Sequence, residues 1–514
     1  MAAPNATRNA RTHKRLLSRR WAALNFDRVN VLGDDASYGH SGCVNALSWA
    51  RDGELLLTGG DDRTVQIWRM DSTLLNADYP FVCRSVIQTG HLANIFNAKW
   101  LPYSHNIATV AGDGQVRVHQ VGQIGNSGPP ATAQLSSRDT CIHRLRCHEG
   151  RVKRIELEDS PHLFLTAAED GTVRQHDLRT SHSCSDYGSC PPPLLRLNFE
   201  LSTLSASPLT PFQLVVAGES AYGYLFDRRQ AGRFLLAEKG LVENGMTHCI
   251  RRFGRSASSL DTDCREHITG SRMSSQNGHE VLLSYSADAV YIFSTKDDPE
   301  EADSMESSRP LSSNTRSDLK HKPTNMLGDE SSSTIDDDMD IDIDNYASEE
   351  EEDQEQEDLA SRWASRDAYS KVPLILPRTR FSGARNVDTI KDVNFLGPDD
   401  EYVASGSDDG NFFIWRKDGA LHGIFEGDGS VVNVIEPHPH LPLFATSGID
   451  TTVKLFAPVS GPSSFSQLDS AERIMAANQR QSIGFRRLRL RRHDFTSLLA
   501  AVTSDEHAQT CNHQ

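Results

Sequence analysis

One spacing recurs along this 514-residue chain and leaves few folds open. The segments GHSGCVNALSWARDGELLLTGGDDRTVQIW (39–68), GHLANIFNAKWLPYSHNIATVAGDGQVRVH (90–119) and CHEGRVKRIELEDSPHLFLTAAEDGTVRQH (147–176) lie on one ruler. His40, His91 and His148 each precede an Asp by 22 residues: Asp62, Asp113 and Asp170. Thr58, Thr109 and Thr166 stand four residues before that Asp, and Trp68, His119 and His176 six after it. Two later segments keep the last two offsets, through Ser405, Asp409 and Trp415, and through Thr446, Asp450 and Phe456. Two more, ending at Phe226 and Phe293, keep only the strand outline and carry Ser220 and Ala287 where the Asp would be. Each of the seven units alternates apolar and polar residues over short runs split by Gly, Asp and Ser turns, the pattern of strands. A repeated unit of this kind cannot bury its apolar face alone, so neighbours must stack.

The Gly-His near the start of a unit and the Trp near its end resemble the WD40 repeat, which has four strands per propeller blade. The resemblance covers residues 39–293 and 374–457 and implies an all-β fold, a seven-bladed WD40 β-propeller. In that family the His, the Ser or Thr, the Asp and the Trp form a hydrogen-bonded chain inside a blade, and His40, Thr58, Asp62 and Trp68 match it fully. A buried Asp needs donors, because an unpaired buried charge is costly. His91, Thr109, Asp113, His148, Thr166, Asp170, Ser405, Asp409, Trp415, Thr446 and Asp450 are therefore assigned structural roles in their blades and no catalytic one. Units four and five lack the Asp and are expected to rely on packing. The extended NFDRVNVLGD (25–34) is expected to close the ring as the outer strand of the last blade.

The divisions that follow are a basic amphipathic N-terminal helix or tail (1–24), the closing strand with blades one to five (25–296), an acidic insert (297–370), the rest of blade five with blades six and seven (371–460), and a C-terminal helix with an Arg-rich tail (461–514). The formal net charge is −17, but residues 329–358 alone hold 16 Asp or Glu and no Lys or Arg. The remainder carries 53 basic against 54 acidic residues and is nearly neutral. A segment rich in Ser and acids with few aromatics cannot bury enough surface to fold, so the insert is expected to be disordered, leaving blade five after its third strand and returning before LILPRTRFSG (374–383), that blade's expected outer strand. AERIMAANQR (471–480) reads as a helix, and FRRLRLRRHD (485–494) packs five Arg into ten residues that suit nucleic acid, import factors or neutralisation of the insert.

No run of about 18 apolar residues suggests a membrane span, and the basic N-terminus has no apolar core of a secretory signal. The nine Cys are odd in number and scattered, which reads as reduced thiols in a protein of the nucleus, the cytoplasm or both. There is no Walker A loop, dinucleotide fingerprint or His-Glu-x-x-His pair, so no enzyme, cofactor or metal is expected. HSCSDYGSC places His182, Cys184 and Cys190 together but lacks the paired spacing of zinc sites. A chain of rigid repeats without a catalytic constellation is expected to bind partners.

DGTVRQHDLRT and YLFDRR, with GHLANIFNAKWLP, LLSYSADAVYIF, the acidic insert and HPHLPLFATSGIDTTVKLFAP, are similar to the WD40 substrate receptors of cullin-4 RING ubiquitin ligases, in the branch of the nuclear receptor interaction protein and its relatives. In that family a third strand ends in Trp-Asp-x-Arg, and its Arg meets the damaged-DNA-binding adaptor protein. Asp177 with Arg179, and Asp227 with Arg229, match the Asp-x-Arg part, while His176 and Phe226 stand where the Trp would be. A helix before the propeller also contacts the adaptor in the family, which makes Leu16, Leu17 and Arg20 candidates. The resemblance implies a non-enzymatic receptor that docks on the adaptor and recruits an unknown protein for ubiquitylation, without nucleic acid or membrane as a partner. The alternative is a WD40 scaffold for a chromatin or transcription cofactor complex.

Overall fold

A computed structural model describes residues 25–34, 38–71, 78–122, 132–180, 190–230, 246–255, 267–299 and 369–492, with Ser18, Trp21 and Cys184; the side chains of 484–492 are excepted. Leu16, Leu17 and Arg20 lie outside these residues, as do the acidic insert from 300 to 368 and the tail beyond Arg492. Residues 300–370 form a unit separate from the rest of the chain.

The described chain forms seven sheets with a four-strand antiparallel core each, one per sequence unit. Blade one shows the plan from the inside outward: Val44–Ala50, Leu55–Gly60, Thr64–Met70 and Phe81–Gln88. The alternation read from sequence is masked in the middle strands. Leu55–Gly60 and Phe444–Gly448 are buried at every residue, because successive side chains point to opposite faces and each face meets a neighbouring blade. Leu57 and Ile67 of blade one pack with Ile95 and Ile107 of blade two. Phe412 of blade six packs with Phe444 and Phe456 of blade seven.

Blade seven is completed by the N-terminal side of the chain. Asn25–Leu32 pairs antiparallel with Val453–Val459, from Asn25 opposite Val459 to Leu32 opposite Val453, with a register shift between Arg28 and Asn30. The pairing covers the edge that strand Val453–Val459 would otherwise present. Trp21, just ahead of it, is 4% exposed and sits in the seam of blades six and seven, its ring 4.9 Å from Phe26 and 6.2 Å from Tyr402. The N-terminal segment read as a basic amphipathic helix or tail therefore gives Trp21 to the ring itself.

The expected outer strand of blade five divides in two. Leu374–Ile375 adds in parallel to Arg251–Phe253 of blade four, and only Thr379–Phe381 pairs with Val290–Ser294 of blade five. Pro377 falls between them, and a residue without an N–H cannot continue a ladder. Ala133–Ser136 makes a similar parallel addition to blade one before the chain forms the outer strand of blade two. Asp297 pairs with Arg378 through Nε at 2.7 Å, which holds together the two ends of the chain that flank the insert.

AERIMAANQR and the Arg-rich run are one helix, Ala471–Arg492. Its first turns lie on blade six, where Ile474 and Met475 join the seam that contains Trp415 and Phe413. Gly383 makes room: its φ is +111°, and a Cβ there would stand 2.8 Å from Met475.

Candidate docking site

The residues of the repeat set the frame for the site. In blade one His40 Nδ1 lies 3.0 Å from Asp62, His40 Nε2 lies 2.7 Å from Thr58 Oγ1, and Trp68 Nε1 donates to that oxygen at 3.1 Å. The chain has one direction: indole N–H to hydroxyl, hydroxyl to imidazole, imidazole N–H to carboxylate. Blade three repeats it with His176 in place of Trp. Its Nε2 reaches Thr166 Oγ1 at 2.8 Å, while His148 spans Thr166 at 2.7 Å and Asp170 at 2.9 Å. Those hydrogen bonds lower the Asp170 carboxyl to about 2 against the desolvation that is the largest influence on it and raises it. In blade two His91 spans Asp113 at 3.0 Å and Thr109 at 2.9 Å, but His119 turns to Thr140 at 3.1 Å.

Three blades depart from the sequence reading. In blade six Ser405 bonds only backbone carbonyls, Trp415 Nε1 donates to the Ser382 carbonyl at 3.2 Å, and Asp409 accepts from Asn411 N–H and from Asn478 of the C-terminal helix. The carboxylate buried next to the repeat position is Asp408, paired with the fully buried ammonium of Lys391. In blade seven Lys454 holds Asp450 and Asp428, and Thr446 Oγ1 has no hydrogen-bond partner among the described residues. Blade five does not rely on packing alone: Asp288, one residue after Ala287, takes Arg255 at 2.6 Å, Tyr291 at 2.8 Å and Arg380 at 3.0 Å.

Beyond these networks the third strands of all blades end on one face of the ring. Asp177 is the last residue of Thr172–Asp177 and lies opposite Leu163; Asp227 is the last of Gly223–Asp227 and lies opposite Gln213. The two acids therefore hold the same register position on neighbouring blades. Each accepts the backbone N–H of the residue two ahead, at 3.0 Å for Arg179 and 2.9 Å for Arg229, a local turn that Asp side chains favour. Each then takes the guanidinium of that residue. Arg179 bonds through Nε at 2.9 Å and Nη2 at 2.7 Å, and Arg229 bonds through Nε at 2.9 Å and through Nη2.

Exposure divides the pairs sharply. The Arg179 and Arg229 side chains are 61% and 66% exposed, against 26% and 6% for their acids. The acid is a fixed anchor and the outer edge of each planar fork faces outward. The Arg179 hydrogen bonds hold the Asp177 carboxyl down to about 2, and Arg229 holds Asp227 below the usual carboxylate range, so both stay ionised near neutrality. Arg229 also lies over the Phe212 ring at 4.0 Å, a cation–π contact that limits its swing. Arg228, between them in FDRR, points elsewhere. It reaches Glu158 at 2.8 Å and Gln175 at 3.0 Å, tying blade four to blade three beside the two forks.

Two features of this end of the ring carry no repeat signal. A cavity of about 650 Å³ is walled by the inner strands of all seven blades and lined by Lys99, Glu156, Arg272 and Glu436. Arg272 and Lys99 stand 3.5 and 4.0 Å from Glu436. A second cavity of about 430 Å³ adjoins Asp177, between His143, Cys147 and Pro191–Pro193. Among the sequence-derived candidates, the structure brings Asp177 with Arg179, and Asp227 with Arg229, to one face.

Comparison with known proteins agrees with the architecture. The family model for the WD domain, G-beta repeat, matches residues 35–69, 139–177 and 377–416. WD repeat protein iqw1 of Schizosaccharomyces pombe is 33% identical over 51% of this chain and 32% of its own length. DDB1- and CUL4-associated factor 6 of Homo sapiens is 30% identical over 56% of this chain and 30% of its own. WD and tetratricopeptide repeats protein 1 of Homo sapiens is 24% identical over 85% of this chain and 87% of its own. The chain thus spans about a third of the length of the first two of these relatives. The sheets and the repeats define a WD40-repeat protein with a seven-bladed β-propeller. Its homologues include a factor named for its association with DDB1 and CUL4.

Proposed function

We propose that this chain is a non-catalytic substrate receptor of a cullin-4 RING ubiquitin ligase, docking on the damaged-DNA-binding adaptor protein through Arg179 and Arg229. The observation that carries the reading is the duplication: two Asp-x-Arg forks, bonded alike, at one register position on adjacent blades of one face. A single exposed ion pair contributes little. Two guanidinium groups held in fixed orientation offer carboxylates or carbonyls of a partner a bidentate, pre-organised target. The name of the human relative, an associate of DDB1 and CUL4, supports the choice of partner. Leu16, Leu17 and Arg20 would add a helical contact, and the ubiquitin chemistry would belong to the RING component. The protein to be ubiquitylated would bind a surface that docking leaves open.

The test is capture of the adaptor by the full chain and by the Arg179→Ala plus Arg229→Ala variant, with circular dichroism to show that both are folded. Capture should fall at least tenfold in the variant. Undiminished capture removes the two arginines from the interface, and absence of capture by the unaltered chain favours a scaffold of other purpose.

A further inference from the structure

Of the nine cysteines, three gather in space although their intervals along the chain are not those of a zinc motif. Cys184 and Cys190 belong to the connection that follows Arg179 and leads to the outer strand of blade three. Cys147, adjacent to His148 of that blade's hydrogen-bonded chain, comes from 37 residues upstream of Cys184. Their sulfur atoms all lie within 4.8 Å of one another, and Cys147 Sγ stands 3.7 Å from Cys184 Sγ.

We propose that Cys147, Cys184 and Cys190 bind a zinc ion that fastens this connection to blade three. The geometry carries the proposal. Zinc takes thiolates at about 2.3 Å in a tetrahedron, and two such ligands then stand about 3.8 Å apart. The observed 3.7 Å is that edge. A disulfide would bring one pair to about 2.05 Å and strand the third thiol, whereas the three are grouped and none of them is in a disulfide.

Charge supports the same assignment. Three thiolates around a divalent ion leave one net negative charge, and a cation lies beside them. Arg174 Nη1 donates to the carbonyl of Pro191, next to Cys190, at 2.8 Å. Zinc takes cysteine as the thiolate, and binding releases the thiol proton. Cys147 also lines the cavity of about 430 Å³, from which a nitrogen or a water can take the fourth position. The physical result is a short cross-link: residues 184 and 190, on either side of five intervening ones, are tied to residue 147 in the connection between the outer strand of blade two and the inner strand of blade three.

The proposal stands apart from adaptor docking, because metal content is measured with no adaptor present. The full chain, purified without a metal-binding tag and dialysed, should hold about one zinc by elemental mass spectrometry, a single structural site. The Cys184→Ser plus Cys190→Ser variant should hold less than a tenth of that, and Cys249→Ser should keep it. Should the double variant misfold, cobalt exchanged into the unaltered chain decides: an intense tetrahedral d–d band with sulfur-to-cobalt charge transfer supports the site. Less than a tenth of an equivalent of zinc after expression in zinc-supplemented medium overturns it. So do copper in place of zinc, and a Cys184–Cys190 disulfide seen as a loss of two hydrogens in the intact mass.

Discussion

Asn478 of the C-terminal helix donates a hydrogen bond to Oδ2 of Asp409 in blade six at 2.7 Å. The same amide reaches the carbonyl of Gly383 at 2.9 Å, and Asn478 is almost wholly buried. An Asp at the repeat position of a blade is thus turned outward to seat a helix. Asn478→Ala leaves a partly buried carboxylate without one donor, a change that costs about 1.5–3 kcal/mol for a hydrogen bond to a charged group. The expected outcome is a lower midpoint in urea and earlier tryptic cleavage at Arg473 and Arg480, read by limited proteolysis.

Thr58 and Thr446 occupy the same repeat position in blades one and seven, with opposite consequences. The Thr58 hydroxyl bonds both His40 and Trp68, so Thr58→Val leaves two buried polar groups unpaired, for a loss of about 2–4 kcal/mol. Thr446 Oγ1 makes no hydrogen bond among the described residues, so Thr446→Val should be neutral or stabilising by up to about 1 kcal/mol. Equilibrium denaturation of the two variants checks the contrast, and equal losses would contradict it.

His438 gives the junction of blades seven and one a dependence on pH. Its Nδ1 accepts the backbone N–H groups of His440 at 3.0 Å and Leu441 at 2.9 Å, and Nε2 donates to the Gly53 carbonyl at 3.2 Å. Trp49 packs on the ring and the His440 ring is 6.4 Å away. Burial holds the folded pKa down to about 4, below the unfolded value of about 6.5. Between those values the unfolded chain binds more protons, so stability falls as pH is lowered through that window and levels off below it. His438→Gln, which cannot protonate, should flatten the slope of Tm against pH from about 6.5 to about 4.5.

Asp177 and Asp227 matter to the proposed interface through the arginines they hold. Asp177→Asn with Asp227→Asn keeps side-chain shape and removes the charge that fixes each guanidinium. The Asp227 side chain is only 6% exposed, so the double variant should lose about 1–3 kcal/mol of stability; with circular dichroism showing that it is still folded, adaptor affinity, measured by interferometry, should drop severalfold. Unchanged affinity would mean that the forks need no anchoring.

The fold was legible because its grammar is local. The 22-residue interval from His40 to Asp62, and its copies, encode one blade each, and the hydrogen bonds of blades one and three follow it atom for atom. The substitution of His176 for Trp is intelligible afterwards, since one N–H at that place suffices. What spacing could not reveal was which of two adjacent acids turns inward. Asp408 and Asp409 are both near the expected offset, and only the buried Lys391 selects Asp408. Ala287 hid Asp288 in the same way. Asn478, Trp21 and Cys147 escaped for a different reason: they lie in segments outside the repeated strands, and no repeat interval along the chain records what those segments dock on. The candidate forks lie between these cases. Asp-x-Arg is plain in the text of the chain, whereas the contrast between each exposed arginine and its more covered acid arises only in the folded ring.

The pairing of Asn25–Leu32 with Val453–Val459 sets an order of events during synthesis. Blade seven cannot acquire its outer strand until residue 459 has left the ribosome, more than 400 residues after its partner emerged. Until then the waiting strand and the inner strands of the last blade both have open backbone edges, in a cell crowded with other nascent chains. Loop closure over that distance is also a slow class of folding event. Supervision by chaperones that shield such edges should therefore decide how much of this protein is made in active form, and truncations before residue 453 should be cleared rather than accumulate as shorter rings.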